Sequence, residues 1–525
     1  MLRTTDPSPA PGLPDTGDGF LDLFLRRAAA TPERVFCRIG AGALRFGDLE
    51  RKSAALAVWL VGQGVTPGDR VALMLRNSGT ALALMFAIAR AGAVWVPVNT
   101  QAVGDNLAYT LSHAEPRLIV AEADLLPVFA ACGAELQDAV VVGVDVAAAA
   151  QDAEVVERPA LSLPGADLPF AIMYTSGTTG RPKGVIVSHR MLRLSGEAAA
   201  IVSAAVDGDA LFLWEPLFHI GGAQMIVMPL IREVTLVLAE GFSASRFWAE
   251  LTACGATHMH FLGGILQILL KQPPGPLDKS HPVRIAWGGG CPIDVWRAFE
   301  ARFGVEIREC YGMTECSSFT TANLNGAVGS VGTPLPWFDV AIVDAAERPV
   351  AVGERGEIVV RERLAGALTR GYFKDTETTA KVLRDGAFHT GDHGSWDGDG
   401  NMFFHGRMTD SVRVRGENVT AAEVEEVVRQ HPAVEDCVVI GVAADVGEQE
   451  IKLFVMPKAG GAVVPAELSA WLASRLARYQ RPRYIAVVEA FERTASQRIM
   501  KNKLSKRTDN AWDATLSPKQ TNCYV

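Results

Sequence analysis

Between Ile172 and His189 the chain reads I-M-Y-T-S-G-T-T-G-R-P-K-G-V-I-V-S-H. An apolar run suited to a buried strand gives way to Thr175, Ser176, Gly177, Thr178, Thr179 and Gly180. Arg181, Pro182, Lys183 and Gly184 follow, and a second apolar run, Val185 to Val187, closes the stretch. Two extended segments are therefore joined by a loop with little side-chain bulk. Gly177, Gly180 and Gly184 admit backbone shapes closed to other residues. Such a loop can turn its N–H groups inward and cradle an anion. The hydroxyls add donors and Lys183 adds a positive charge, which together suit a polyphosphate. The loop is not a Walker A loop: that pattern needs a Gly-Lys-Ser/Thr triplet, whereas Lys183 follows Gly180 by three positions. The competing reading of these residues is a flexible surface hairpin between two strands.

The chain before this loop alternates in the manner of a parallel sheet covered on both faces. Helices are expected at Phe20–Ala30, at 46–63 with Gly64 beyond the end, and at 81–92. Strands are expected within 67–75, 93–98, 116–121 and 139–144; residues 145–157 have no clear pattern. After the loop, strands at 234–238, 258–261 and 283–287 alternate with helices. The chain has 525 residues, so at least two domains are expected. Hydrophobic residues are 49% and charged residues 21%, as in a protein with a large core. A net charge of −9 argues against nucleic acid as a partner. The 8 cysteines are scattered, with no C-x-x-C pair to suggest zinc or a disulfide framework. The Pro-rich residues 1–17 read as a disordered lead without the apolar region of a secretory signal. No transmembrane run is found, and a cytoplasmic location is the default.

A second signal lies at Cys310-Tyr311-Gly312-Met313-Thr314-Glu315. An aromatic face, a hydroxyl and a carboxylate within one loop can stack a base, bind a phosphate and hold a divalent cation. Upstream, Gly288, Gly289 and Gly290 follow Trp287 and let a flat ring approach the backbone; a tight strand-to-helix turn is the plainer account. His219 precedes Gly221 and Gly222, which suggests a helix start beside a cavity, or simply a packed histidine. Beyond Gly326, short strands at 340–343 and 356–360 read as an antiparallel barrel or meander. Asp392, in His389-Thr390-Gly391-Asp392, can accept from both hydroxyls of a ribose. Residues 412–419 look like a hairpin turning at Gly416. A helix follows at 421–431, whose Glu423, Glu425 and Glu426 read as a solvated face. Strands at 434–442 and 451–457 and a helix at 466–477 complete a small α+β domain.

Y-T-S-G-T-T-G-R-P-K-G resembles the signature of the adenylate-forming superfamily of acyl-CoA synthetases, peptide-synthetase adenylation domains and luciferases. Y-G-M-T-E, T-G-D and G-R-M-T-D follow in the family's order, and the likeness runs from about Phe20 to Lys506. R-V-R-G-E-N-V-T and F-L-G-G-I-L-Q most resemble its crotonobetaine/carnitine–CoA ligase-like branch. The resemblance implies an α/β fold: stacked αβα sheets and an antiparallel barrel-like subdomain in residues 18–407, and an α+β lid in residues 408–525. It implies ATP, Mg²⁺ and coenzyme A, with a carboxylic acid as substrate. The loop from Thr175 to Lys183 would hold the β- and γ-phosphates. Tyr311 would pack on adenine beside Gly288–Gly290, Cys310, Gly312 and Met313. Thr314 would contact the α-phosphate, Glu315 would ligate Mg²⁺, Asp392 would take the ribose, and Arg407 would contact the ribose or phosphates. Arg415, Gly416 and Glu417 would enter the site for the second half-reaction. His219, Phe261, Gly264, Trp287 and Cys310 would line the acid pocket, shortened by Trp287.

The chain departs from the family near its end. In R-T-A-S-Q-R-I-M-K, Arg498 stands where the family carries a catalytic lysine, after Gln497 instead of glycine. Arginine keeps the charge but is a planar fork and not a point cation. At the hinge, Thr409 stands where Asp or Lys is usual. The activity these motifs imply is acid–CoA ligation through an acyl-adenylate. A stand-alone enzyme loading a carrier protein, and a nucleotide- or acyl-CoA-binding paralogue with weak ligase activity, remain as alternatives.

Overall fold

A computed structural model describes residues 18–131, 139–152, 163–175, 181–408, 411–414, 417–444, 449–494 and 499–516. The lead at 1–17 and site residues Ser176, Gly177, Thr178, Thr179, Gly180, Arg415, Gly416 and Arg498 lie outside the described residues, as does Thr409. The fold is mixed α/β and divides into two compact units. One comprises Met1–Val340 with Val360–Phe388, the other Ala341–Val359 with His389–Val525.

In the first unit, a six-stranded sheet has the order Val140–Gly143, Leu118–Ala121, Arg70–Met74, Val94–Pro97, Pro169–Thr175, Lys183–Ser188. Its strands are parallel except the last pair, where the chain doubles back antiparallel. The phosphate-loop stretch is thus a hairpin in topology, at one edge of a parallel sheet. Near-continuous apolar runs such as L-I-V-A suit strands covered on both sides. The helices arise where expected, at Phe20–Ala30, Phe46–Gly62 and Gly79–Arg90, and the patternless stretch after Gly143 contains a helix at Val144–Ala150.

A nine-stranded sheet has the order Thr333–Pro334, Thr321–Ala322, Glu306–Tyr311, Ile285–Gly289, His258–Leu262, Ala210–Leu213, Thr235–Leu238, Val35–Ile39, Gly42–Arg45. Its centre is parallel and both edges are antiparallel. The helix His189–Ser203 is buried along nearly its whole length. It packs on strands of both sheets and is therefore sandwiched between them. Ser188 caps its N-terminus by accepting from Met191 N at 3.1 Å. Phe20 packs into the same core, 4.7 Å from the Phe170 ring and stacked 5.2 Å from His189. Burying such a ring stabilises by about 2 kcal/mol.

A curled antiparallel sheet of five strands, Phe338–Val343, Gly356–Glu362, Leu383–Arg384, Ala387–Trp396 and Met402–Arg407, corresponds to the expected meander. In the second unit, Ser411–Val414 and Glu417–Thr420 form the expected hairpin. The strands Val434–Ala443, Gln449–Pro457, Tyr484–Val487 and Trp512–Asp513 form a four-stranded sheet. Val424, Val428, Val439, Leu453, Leu468 and Ile485 fill the core beneath it. Two expectations fail here. Glu425 is not solvated: it is 7% exposed and accepts from Val439 N at 2.9 Å. It also pairs with Arg429 at 3.1 Å and Lys501 at 3.2 Å, because its helix Ala421–Arg429 packs directly on a strand carrying a free N–H. The helix expected over 466–477 is Pro465–Ala473; Arg481 takes the Ala473 and Leu476 carbonyls and stabilises a turn instead.

Candidate active site

The strands flanking the phosphate loop pair in register, Thr175 opposite Lys183 and Tyr174 opposite Gly184. A side chain at Gly184 would meet Ile172 at 2.7 Å, so glycine is required for Tyr174 to lie across it. The segment Gly371–Phe373 runs along the outer edge of Lys183–Ser188. Phe373 N donates to Gly184 O at 2.8 Å and Ile186 N to Gly371 O at 3.1 Å. This places the Tyr372 ring 5.2 Å from Lys183 Nζ, in cation–π contact. The Tyr372 hydroxyl donates to Glu315 Oε1 at 2.9 Å, and Thr369 N donates to the Glu315 carbonyl at 2.8 Å. Lys183 and Glu315, over 130 positions apart, are thus joined by one tyrosine. Asp375 lies near them, its carboxyl held below the usual range chiefly by bonds from Thr378, with Lys183 contributing. Arg181 faces outward over the Tyr109 ring at 5.1 Å.

The expected nucleotide loops stand at the ends of adjacent parallel strands, where open α/β sheets hold ligands. Gly288 has φ +151°, and a Cβ there would lie 1.9 Å from Phe261 O. Gly312 could not carry a side chain either, with Ser318 O 2.0 Å from the Cβ position. Gly290 N and Cys291 N donate to Glu309 at 2.6 and 3.1 Å. Glu309 thereby fastens the glycine turn to the strand leading to Tyr311, and burial pushes its carboxyl up to about 8. Met313 O accepts from Cys316 N and Ser318 N, closing the tight turn that holds Thr314 and Glu315. Tyr311, Thr314 and Glu315 are 7%, 8% and 8% exposed, so the loop is a fixed wall.

The residues expected to line the acid pocket divide. His219 caps the helix Ile220–Ala223, its Nδ1 accepting from Gly221 N at 3.2 Å. Trp287 is fully buried, 4.3 Å from the His260 ring and 6.0 Å from Phe319. Cys310 lies on the strand beside it, its thiol donating to Gly288 O at 2.9 Å and pushed far upward by burial. Phe261 points the other way, into the core with Met259, Trp296 and Phe299; its carbonyl is what approaches Gly288. Gly264 begins the helix Ile265–Leu270.

In the second unit, Asp392 and Arg407 are ladder partners, with Arg407 Nε 3.4 Å from Asp392 Oδ1. Asp392 is 2% exposed, its N donating to Thr390 Oγ1 at 3.1 Å. Gly391 at φ +68° makes this turn and donates to Glu357 at 3.0 Å. The strand bearing Glu417 is described, its side chain is not. Tyr372, Glu309, Glu215 and His260 carry no role in the expectations drawn from the sequence. The available signal was a charged residue beside an apolar strand in F-L-W-E-P and two histidines inside the buried run H-M-H-F-L. Among the described residues, no three metal-ligating side chains converge and no helix is long and apolar enough to cross a membrane.

The AMP-binding enzyme model matches residues 24–373, and the AMP-binding enzyme C-terminal domain model matches residues 423–498. The chain belongs to the AMP-binding enzyme family. It is 30% identical over 465 residues to the crotonobetaine/carnitine–CoA ligase of Salmonella paratyphi A, covering 84% of this chain and 89% of that one. It is 32% identical over 490 residues to a feruloyl-CoA synthase of an Amycolatopsis species, covering 92% and 98%. Among solved structures, ATP-bound MatB from Rhodopseudomonas palustris matches with a TM-score of 0.83 at 28% identity, over 92% of this chain and 97% of that one. The o-succinylbenzoate CoA synthetase of Bacillus subtilis, in complex with its acyl-adenylate intermediate, matches at 0.82 and 25% identity, with the same coverage.

Proposed function

We infer that the chain is an ATP-dependent carboxylic acid–CoA ligase working through an acyl-adenylate. The observation that carries this reading is the meeting of Lys183, Tyr372 and Glu315 at the end of the phosphate-loop strand. A carboxylate oxygen of the acid attacks the α-phosphorus of ATP. The bond to the bridging oxygen breaks, giving acyl-AMP and pyrophosphate. The thiol of CoA then loses its proton and attacks the acyl carbon, and AMP leaves. No side chain needs to form a covalent intermediate, so the protein contributes positioning and charge neutralisation.

Lys183 and the loop Thr175–Gly180 hold the terminal phosphates in this reading. Tyr311 takes the adenine beside Gly288–Gly290, with Cys310, Gly312 and Met313 in the same wall. Thr314 donates to the α-phosphate, Asp392 takes the ribose, and Arg407 contacts the ribose or phosphates. Arg498 neutralises charge during adenylation, and Arg415, Gly416 and Glu417 serve the thiol step. Residues 18–407 bind ATP and acid, and 408–525 act as the lid. Magnesium fits the donor set: Glu315, oriented by Tyr372, would offer one carboxylate, and a Mg²⁺ ion needs only one or two protein carboxylates beside phosphate and water. When bound, the ion neutralises phosphate charge. The six described free cysteines suit a reducing cytoplasm.

The test is pyrophosphate release from purified protein with ATP and a panel of acids, with and without CoA. Acid-dependent release coupled to acyl-CoA formation is expected. ATP binding without release, or release that charges a carrier protein and ignores CoA, would overturn the assignment.

A further inference from the structure

Glu215, His260 and Trp287 form a buried polar cluster to which the reaction above gives no catalytic task. They are 2%, 1% and 0% exposed. Each comes from a different neighbouring strand of the nine-stranded sheet: Glu215 just beyond Ala210–Leu213, His260 within His258–Leu262, Trp287 within Ile285–Gly289. His260 and Trp287 are ladder partners, with rings 4.3 Å apart, on the face opposite Met259 and Ala286. His260 Nδ1 lies 2.5 Å from Glu215 Oε2. With Nδ1 donating to the carboxylate, Nε2 is an acceptor in that tautomer of the imidazole.

Three polar atoms of this cluster have no partner among the described residues: Glu215 Oε1, His260 Nε2 and Trp287 Nε1. Buried polar groups in folded proteins are nearly always bonded. Three unbonded ones on contiguous side chains point to a ligand. The surroundings relate the cluster to the acid pocket. A Cβ on Gly221 would lie 3.0 and 3.2 Å from the Glu215 oxygens and 3.3 Å from His219 Nδ1. The cluster therefore adjoins His219, which the reading above places in the acid pocket. Trp287 belongs to both.

Resting on the ligase reading, we propose that Glu215, His260 and Trp287 form a subsite selecting acids that carry a hydrogen-bond donor, hydroxyl or amino, on their hydrocarbon part. A hydroxyl donates to Glu215 Oε1 or His260 Nε2 and accepts from the Trp287 N–H. An amino group donates to both acceptors. A methyl ether or a plain C–H leaves the carboxylate oxygen without a partner in a desolvated site. Sites built to bond a polar group reject analogues lacking it far more strongly than apolar pockets reject a missing methylene.

The test compares kcat/KM for benzoate with its 3- and 4-hydroxy, amino and methoxy derivatives, and for C3–C6 acids with their ω-hydroxy and ω-amino counterparts. The best donor-bearing acid should exceed its hydrogen and methoxy analogues by on the order of 10²-fold or more. Its being the hydroxy or the amino member identifies the donor. Glu215→Gln, which turns an amide donor toward the substrate while still accepting from His260, should reduce that ratio at least about tenfold. Trp287→Phe keeps an aromatic face but replaces the indole by a smaller phenyl, removing the N–H together with the pyrrole part, and should lower the ratio for hydroxy acids more than for amino acids of the series. Calorimetric ATP binding checks that both variants are folded. Turnover of many acids with no donor preference, or a ratio that survives in both variants, overturns the subsite and leaves the ligase reading standing. If no acid supports pyrophosphate release, the ligase reading falls. The subsite is then judged by titration calorimetry of the same acids, where an absent donor preference overturns it too.

Discussion

The Tyr372 hydroxyl donates to Glu315 Oε1 at 2.9 Å while its ring lies 5.2 Å from the Lys183 ammonium. A single side chain thus sets the spacing between a cation suited to phosphate and a carboxylate suited to a metal. Tyr372→Phe keeps the ring and deletes the bond. A hydrogen bond to a charged group contributes about 1.5–3 kcal/mol, so the Mg²⁺ concentration for half-maximal pyrophosphate release should rise roughly tenfold or more. A magnesium titration at saturating ATP measures it, and an unchanged midpoint would remove Tyr372 from the site.

Lys183→Ala should lower kcat/KM for ATP by on the order of 10²-fold, because a charge-assisted contact to phosphate is lost. Thermal stability should change less than activity, since the Lys183 head group meets the Tyr372 ring at 5.2 Å in a cation–π contact. Initial rates across an ATP series decide the matter.

Trp287→Ala removes a fully buried ring between His260 and Phe319. Such truncations cost about 3–5 kcal/mol. The variant should melt several degrees lower and accept longer acids than the parent. Relative rates over a chain-length series check this; a parent enzyme already preferring long chains would contradict it.

Arg498→Ala should slow acyl-AMP formation about 10²-fold, the scale of one contact made to the transition state, and spare thioester formation from supplied acyl-AMP and CoA. Lys501, the nearest described cation in the sequence, pairs with Glu425 at 3.2 Å. Arg498→Lys is the finer test. A site shaped for a guanidinium by Ser496 and Gln497 should work less well with lysine. Single-turnover assays of each half-reaction separate these outcomes.

His189 is stacked on Phe20 and held by burial down to about 4, against an ordinary value of 6.5. The unfolded chain takes up a proton near pH 6.5 that the folded one refuses until about pH 4. Stability is therefore complete above pH 6.5 and falls as the pH drops toward 4, by roughly 3 kcal/mol for this group. His189→Phe should flatten the decline. His258 and His405, also lowered by burial, leave a residual slope. Urea denaturation from pH 7 to pH 4 on both proteins measures the difference.

Much of the fold was legible because the parallel sheets are made of apolar runs broken by turn residues. The periods around Arg70–Met74 and Gly79–Arg90 leave few other folds. Glu425 was misread because helical periodicity shows which residues can share a face, not whether the facing strand carries a free N–H. Phe261 shows a related limit. Neighbours on a strand alternate between faces, so its place beside His260 and near Gly288 did not say that its ring enters the opposite core.

The sequence by itself determined the local chemistry: a hydroxyl- and glycine-rich loop ending in Lys183, a carboxylate at Glu315 within Y-G-M-T-E, and glycines where side chains would collide with backbone. These are properties of short windows, set by steric and bonding rules that act over a few residues. Only the tertiary structure decided which distant windows meet. Tyr372 reaches Glu315 because Gly371–Phe373 pairs with the edge strand Lys183–Ser188. Glu215, His260 and Trp287 meet because three strands, each ordinary alone, lie side by side in one register. Backbone pairing between strands far apart in the chain is nonlocal, and no spacing within a single motif encodes it.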